Sequence, residues 1–198
     1  MELLKGAGAR VRRLDLLEDE SIPEEAAGLI LAGHLWPEAL ADLAGNYQLM
    51  RHLRVRITEG MPTLALGGGM LYLLRSLQAP DGRRYELAGI LPSEGELVEV
   101  LDEVAYYPLR AQRDSVCLQA GQELVGWMSV DADIMEAPVT RNFAFALTPA
   151  GAGKKRGGEL LEGAIAGNLL CSRVMFHLAS VEGAAERFVA ACRSYQAE

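Results

Sequence analysis

The alternation of apolar and polar positions divides the chain into short buried strands and amphipathic helices. Two apolar runs, at 28–33 and 63–66, have the length and composition of strands buried on both faces of a sheet. Gly67, Gly68 and Gly69 follow the second run, and a helical pattern resumes over 70–75. This order of strand, glycine turn and helix predicts an elbow that lifts one residue above the carboxyl edge of a parallel sheet.

Helical spacing predicts two further amphipathic segments, within 37–60 and over 184–195. The residues expected on their buried faces are Leu40, Leu43, Tyr47, Met50, Leu53, Phe188, Val189 and Cys192. A short helix before Gly6 leads into an expected strand at 10–15, and an acidic connection covers 16–27. The segments 97–107, 110–120 and 123–130 indicate shorter strands added antiparallel to the sheet, and 150–158 indicates a flexible loop.

Composition indicates one globular domain over 1–198, with half of its residues apolar and a net charge of −8. The negative charge argues against a nucleic-acid partner, because phosphate binding needs a basic face. It is compatible with a small-molecule or protein partner. No apolar run is long enough to cross a bilayer, so no membrane partner is expected. Three cysteines without metal-ligand spacing, and no export signal, favour reduced thiols, a cytoplasmic location and no metal or other cofactor.

The segment 61–73 reads Met-Pro-Thr-Leu-Ala-Leu-Gly-Gly-Gly-Met-Leu-Tyr-Leu. It resembles the elbow of the glutamine amidotransferase domain of cobyrinic acid a,c-diamide synthases and cobyric acid synthases. The segments 28–38, 85–92 and 162–180 extend the resemblance over nearly the whole chain. It implies an α/β fold of the class I amidotransferase type, with a mainly parallel central sheet flanked by helices.

The resemblance also implies a parent activity, which is hydrolysis of glutamine to supply ammonia for amidation of corrinoid or tetrapyrrole carboxylates. It places the nucleophilic cysteine of that activity on Gly67 and the general base on Met175. Glycine has no side chain that could attack an amide carbon. We therefore expect that the chain keeps the amidotransferase scaffold and lacks both reacting groups.

Other positions of the resemblance line the expected pocket. Gly33 keeps a glycine of the oxyanion loop, whereas His34 and Leu35 replace glycines. Trp127 and Met128 stand where the family has a His-Glu pair, and the second histidine of the base motif is retained as His177. The resulting pocket and oxyanion candidates are Gly33, His34, Gly68, Gly69, Trp127 and His177. Each also has a plain structural interpretation, as a core aromatic residue, a hydrogen-bonded histidine or a scaffold turn.

Two classes of function remain. The chain is a binding module that has lost glutaminase activity, for a small-molecule ligand or a synthase partner, in tetrapyrrole or cobalamin metabolism. Alternatively, it is an active enzyme of the family that uses a relocated nucleophile, such as Cys171, or a group from a partner subunit. No Gly-x-x-x-x-Gly-Lys-Ser/Thr pattern is present, so the ATP-using step of the parents is not expected in this chain.

The family's first strand has no counterpart in the sequence, which begins with the helix that follows that strand. The chain start could be assigned wrongly, the sheet could be one strand shorter, or another segment could fill the gap. Because strand edges in a parallel sheet are normally covered, we expect a homodimer in which a second subunit covers this edge.

Overall fold

The computed structural model describes residues 1–97, 104–129, 132–135, 142–147 and 160–197. Within these ranges the α-helices are α1 (Glu2–Gly6), α2 (Leu40–Gly45), α3 (Tyr47–Thr58), α4 (Gly68–Tyr72) and α5 (Ala184–Gln196). The strands are β1 (Leu29–Gly33), β2 (Thr63–Gly67), β3 (Leu74–Gln78), β4 (Arg84–Glu86), β5 (Leu91–Leu97), β6 (Val104–Ala111), β7 (Glu123–Ser129), β8 (Ala132–Met135), β9 (Phe145–Leu147), β10 (Leu160–Glu162), β11 (Ala164–Ala166) and β12 (Leu169–Ser172). Two 3₁₀ turns lie at Pro37–Ala39 and Leu178–Ser180.

The central sheet carries the predicted elbow. Its order is β1-β2-β12-β11, in which β1 and β12 both pair with β2 in parallel and β11 pairs with β12 antiparallel. Ala65 in the middle of β2 lies between Leu31 of β1 and Cys171 of β12. The expected α/β fold with a parallel core is confirmed, because helices and sheets cover both faces of these strands.

Alternate residues of β2 face two separate apolar cores. Ala65 packs into the core that also contains α2, α3 and α4, whereas Leu64 and Leu66 pack into the core that contains Phe188 of α5. All four residues from Thr63 to Leu66 are buried. Neither face of the strand meets water, which suits an apolar run. The one polar side chain of the four, that of Thr63, donates its hydroxyl to the Met61 carbonyl oxygen.

The helix α3 begins at a side-chain cap. The Asn46 side chain accepts a hydrogen bond from the Leu49 backbone N–H at 3.2 Å and donates to the carbonyl oxygens of Leu16 and Asp19. It thereby fixes the acidic connection against the helix. The buried face of α3 is Leu49, Met50, Leu53 and Ile57. The prediction that Tyr47 is a core residue is wrong, because it stands in the first turn with 72% of its surface exposed.

The predicted strand at 10–15 is also wrong. The segment 9–15 has no regular secondary structure and no ladder with another strand among the described residues. Its exposed Arg10, Arg12 and Arg13 alternate with only half-buried apolar residues. A strand is stable only when a neighbour pairs its backbone groups, and a cavity lies between this segment and the edge of β1.

The helix after the elbow is shorter than the pattern predicts. The helix α4 ends at Tyr72, and Leu74 already belongs to β3, which pairs with β4 and β5. Leu73 and Leu74 are fully buried. A continuous apolar run does not distinguish a buried helix from a buried strand. The residues from Leu74 onward form a strand because β4 and β5 pair with their backbone groups.

The expected antiparallel strands exist but do not extend the central sheet. The strands β6, β7, β9 and β10 form a second, antiparallel sheet, and β3, β4, β5 and β8 form a third. The strand expected at 110–120 ends at Ala111, because the residues that follow turn back to start β7. Residues 98–103 and 130, and the loop expected at 150–158, lie outside the described residues.

Candidate functional site

The elbow at Gly67 has the strained backbone that the sequence predicts. Gly67 joins β2 to α4 with φ 59° and ψ −125°, a region that residues with a side chain rarely adopt. Its two successors pack the start of α4 directly on β1. A Cβ atom on Gly68 would lie 2.6 Å from the Leu35 backbone nitrogen, and one on Gly69 would lie 2.2 Å from the Leu31 carbonyl oxygen. The three glycines therefore permit a helix to approach the neighbouring backbone.

The side chain of Met175 lies directly against the elbow. A Cβ atom on Gly67 would be 2.9 Å from both Cγ and Sδ of Met175, and 2.7 Å from the Gly33 carbonyl oxygen. The two positions that the resemblance assigns to nucleophile and base are thus adjacent in space. In this chain they hold a hydrogen atom and a thioether, neither of which can act as a nucleophile or a base at neutral pH.

The strand β7 brings Trp127 to the same place. Its backbone N–H donates to the Met175 carbonyl oxygen at 2.8 Å, and the Met175 N–H donates to the Trp127 carbonyl oxygen at 2.8 Å. Gly126 allows this close approach, because a Cβ there would lie 2.7 Å from the Met175 oxygen. The structure therefore places the backbone of Trp127 beside that of Met175, whose side chain contacts the elbow. That Trp127 lines a pocket stays a prediction.

His34 and His177 lie along one side of the elbow, by a cavity of about 1150 Å³. The half-buried His34 ring packs on the exposed Trp36, with ring centroids 4.5 Å apart. His177 is exposed, and its Nδ1 accepts a hydrogen bond from the Ala179 backbone N–H at 3.1 Å. That bond caps a 3₁₀ turn, so the plain structural interpretation describes His177 well. Gly33, with φ 130°, also lines this cavity.

The cavity follows the side of β1 opposite β2. Its lining comes from the N-terminal segment, β1 and the residues after it, α4 and α5. The cavity is larger than most cavities that hold a drug-sized ligand, which span about 300–1,000 Å³.

The three thiols are poorly suited to nucleophilic attack. Cys171 is fully buried in β12, its Sγ donates toward the Ala164 carbonyl oxygen, and burial raises its pKa to about 12. Burial also raises the pKa of Cys117 to about 12 and that of Cys192 to about 11. A thiol attacks as the thiolate, and these environments disfavour the thiolate.

Sequence reasoning missed a buried carboxylate near the end of β12. Glu162 accepts hydrogen bonds from the Ser172 hydroxyl and from the Arg173 backbone N–H, and the Arg173 side chain lies 3.6 Å away. Burial raises the pKa of Glu162, and its bonds to Ser172 and Arg173 oppose that shift. No sequence motif indicates this buried cluster, because Glu162 belongs to β10 and Ser172 to β12. The hydrogen bonds to Glu162 hold Ser172 and Arg173, which lie shortly before Met175 in the chain.

The raised pKa of Glu162 predicts a particular dependence of stability on pH. The folded state holds the proton more tightly than the unfolded state, so the contribution of this group is fully present below pH 4.5 and is lost as pH rises through the raised pKa. As pH rises above 4.5, we expect the urea concentration that unfolds half of the wild-type protein to fall relative to the same concentration for Glu162→Gln. The exposed Glu123 supplies the control Glu123→Gln. A difference between wild type and Glu162→Gln that stays constant with pH would contradict the expectation.

In the part of the chain that the structure describes, no helix is long and apolar enough to span a membrane. The same residues contain no group of three or more His, Cys, Asp or Glu side chains arranged to hold a metal ion.

Comparison with known proteins relates the sequence to cobyrinate a,c-diamide synthases and the fold to a glutamine amidotransferase. No protein-family model matches the chain. It is 25% identical over 197 residues to a cobyrinate a,c-diamide synthase of Priestia megaterium, a match that covers 100% of this chain and 41% of the relative. It is 27% identical over 194 residues to a cobyrinate a,c-diamide synthase of Syntrophotalea carbinolica, covering 98% of this chain and 42% of the relative. The chain thus spans about two fifths of the length of these curated relatives.

A solved structure shares the fold. The crystal structure of a glutamine amidotransferase matches with a TM-score of 0.56 at 18% sequence identity, covering 100% of this chain and 92% of that chain. At this identity the likeness establishes the architecture, and the functional conclusion depends on the residues at the elbow.

Proposed function

We propose that this chain, which has the fold of a class I glutamine amidotransferase and a sequence similar to cobyrinate a,c-diamide synthases, does not hydrolyse glutamine. We propose that it acts instead as a ligand- or partner-binding module in cobalamin or other tetrapyrrole metabolism. The relatives contain more than the matched segment, so a synthase-type protein is a natural partner for such a module.

One contact carries this proposal. The Met175 thioether packs where a side chain on Gly67 would begin, so the space between nucleophile and base is filled by an apolar group. Acyl transfer at an elbow needs a thiolate or alkoxide within hydrogen-bond reach of a base. Removing either group from such a pair usually lowers the rate by several orders of magnitude. Both groups are replaced in this chain.

The remaining cysteines do not offer a substitute. Cys171 directly precedes Ser172, the residue of β12 that pairs with Leu66, yet its thiol is fully buried and bonded to the Ala164 carbonyl oxygen. Burial raises its pKa to about 12, so only a minute fraction is ionised at neutral pH. These observations favour the binding module over an enzyme with a relocated nucleophile.

A glutaminase assay tests the proposal. The purified full chain is incubated with L-glutamine while ammonia and glutamate are measured, beside an active glutamine amidotransferase as the positive control and Cys171→Ser as the matched variant. We expect the full chain and the variant to give the same rate as buffer. Ammonia release in proportion to protein concentration would overturn the proposal, and its loss in Cys171→Ser would identify the relocated nucleophile.

The binding role has its own measurement. Protein purified without denaturation is analysed by mass spectrometry for bound small molecules and for proteins that remain associated at stoichiometric amounts. We expect a corrinoid or other tetrapyrrole, or a synthase-type protein, to be retained. A chain that retains nothing, and that binds no cobyrinic acid in a direct titration, would contradict the role in tetrapyrrole metabolism.

A further inference from the structure

The strands β6 and β7 present an apolar outward face. They pair antiparallel, with Tyr106 opposite Trp127 and Pro108 opposite Val125. Directly opposite residues have their side chains on the same side of a sheet, and Val104, two residues before Tyr106, shares that side. Tyr106 is 63% exposed, Val104 51% and Val125 56%, while Pro108 is exposed and Trp127 half-buried. These five residues are called the apolar face below.

The other side of the same two strands already supplies the core. Leu109 and Leu124 stand opposite each other in the ladder and are buried in the core that contains Phe188. A sheet with one face on a core usually carries polar residues on its other face. The apolar face departs from that rule, and the described residues leave three of its side chains more than half exposed. A contiguous exposed apolar surface marks a site of contact with another molecule.

One end of the apolar face carries a balanced pair of charges. The exposed Arg110 and Glu123 stand opposite each other in the ladder, one on each strand. Chains of net charge −8 repel one another over most of their surfaces. Here the two charges cancel and the apolar face itself is uncharged, so local charge does not oppose the approach of a second copy.

The apolar face is also complementary to itself. A two-fold axis parallel to the strands, between β6 and β7, places β6 of one copy over β7 of the other. Arg110 then faces Glu123 of the second copy, and Tyr106 faces Trp127 of the second copy. Each contact occurs twice, and it joins either opposite charges or two aromatic rings. Two sheets that pack face to face in this way keep their strands nearly aligned.

The same contact covers the surroundings of the elbow. Trp127 and Met175 stand opposite each other, joined by two backbone hydrogen bonds of 2.8 Å, so their side chains lie on one side. The Met175 side chain in turn lies against Gly67. A Tyr106 ring from the second copy, packed on Trp127, would therefore lie beside the contact of Met175 with Gly67 and shield it from solvent.

We propose that the apolar face joins two copies of this chain in a symmetric dimer, with β6 of each copy packed on β7 of the other. The inference goes beyond the proposed function, and it holds whether or not the chain hydrolyses glutamine. It also differs from the dimer expected from the sequence, in which a second subunit covers the edge of the central sheet. Five apolar side chains from each copy form a small interface, so the dimer exchanges with the monomer.

Sedimentation velocity of the full chain tests the inference. Between about 1 and 300 μM, the wild type should change from monomer to dimer with a dissociation constant on the order of 10 μM. Tyr106→Glu should raise that constant by at least about thirtyfold, because it places a charge at the centre of the contact. The control is Tyr47→Glu in α3, where the side chain is 72% exposed, and it should associate as the wild type does.

Two charge variants test the orientation of the copies. Arg110→Glu and Glu123→Arg each bring like charges together across the axis, so each alone should associate at least about tenfold more weakly than the wild type. An equal mixture of the two variants should recover the association, because every charged contact between unlike copies then joins opposite charges. Circular dichroism confirms that each variant is folded.

Several outcomes would overturn the inference. They are a monomer mass at every concentration, a dimer that Tyr106→Glu leaves unchanged, and a mixture of the charge variants that associates no better than each variant alone. An unchanged dimer would assign the contact to another surface. A monomer that copurifies with a different protein, which Tyr106→Glu releases, would assign the apolar face to that protein. If Tyr106→Glu does not fold, the charge variants decide, because Arg110 and Glu123 are exposed.

Discussion

Replacing Gly69 with alanine should destabilise the protein by about 3 kcal/mol or more, at the upper end of what overpacking a core usually costs. The added methyl group would lie 2.2 Å from the Leu31 carbonyl oxygen and 2.5 Å from the Leu31 carbonyl carbon. Those atoms belong to the backbone of β1, which is held by its ladder with β2 and cannot turn aside as a side chain would. The helix α4 would have to move away from the sheet.

The measurement is urea unfolding of the full chain, compared with the control Gly45→Ala. Gly45 lies at the end of α2, and a Cβ atom there would meet nothing within 4 Å. The control should be neutral or slightly stabilising, by up to about 1 kcal/mol, because alanine restricts the unfolded chain. If Gly69→Ala unfolded at the wild-type urea concentration, the close approach of α4 to β1 would be disproved.

The double variant Gly67→Cys/Met175→His should remain almost inactive as a glutaminase. It restores both reacting groups, but the new Cβ would still lie 2.7 Å from the Gly33 carbonyl oxygen, on a backbone with φ 59°. The backbone nitrogen of Leu35 also lies close against Gly68. Since a misplacement of about 1 Å can lower a rate about a hundredfold, turnover should stay below about 0.1 per second, against about 10 for an ordinary enzyme.

Ammonia release is measured for the double variant and for Gly67→Cys alone. The single variant should also be less stable, by about 2–4 kcal/mol, because it combines backbone strain with the clash against Met175. Circular dichroism and a thiol-labelling assay confirm that each variant is folded and that its new cysteine is accessible. Turnover of the double variant near 10 per second would mean that the pocket is intact and that only two side chains separate this chain from an active enzyme.

The sequence was most informative where a residue's own conformation decides the structure. Three consecutive glycines after a short apolar run predicted the elbow, because the backbone at Gly67 and the contacts of Gly68 and Gly69 exclude larger residues. The buried face of α3 and the inward positions Phe188 and Val189 of α5 followed from helical spacing. Period and turn chemistry are local properties, so they can be read from neighbouring residues.

Where a distant partner decides the structure, the same reasoning failed or gave no answer. The segment 9–15 has an extended pattern but no strand to pair with, Leu74 changed from helix to strand because β4 and β5 lie beside it, and Glu162 became buried against Ser172. The sequence alone determined the elbow, the parallel core and the amidotransferase resemblance. The contact of Met175 with Gly67 was decided by the tertiary structure, because it depends on residues far apart in the chain meeting in space.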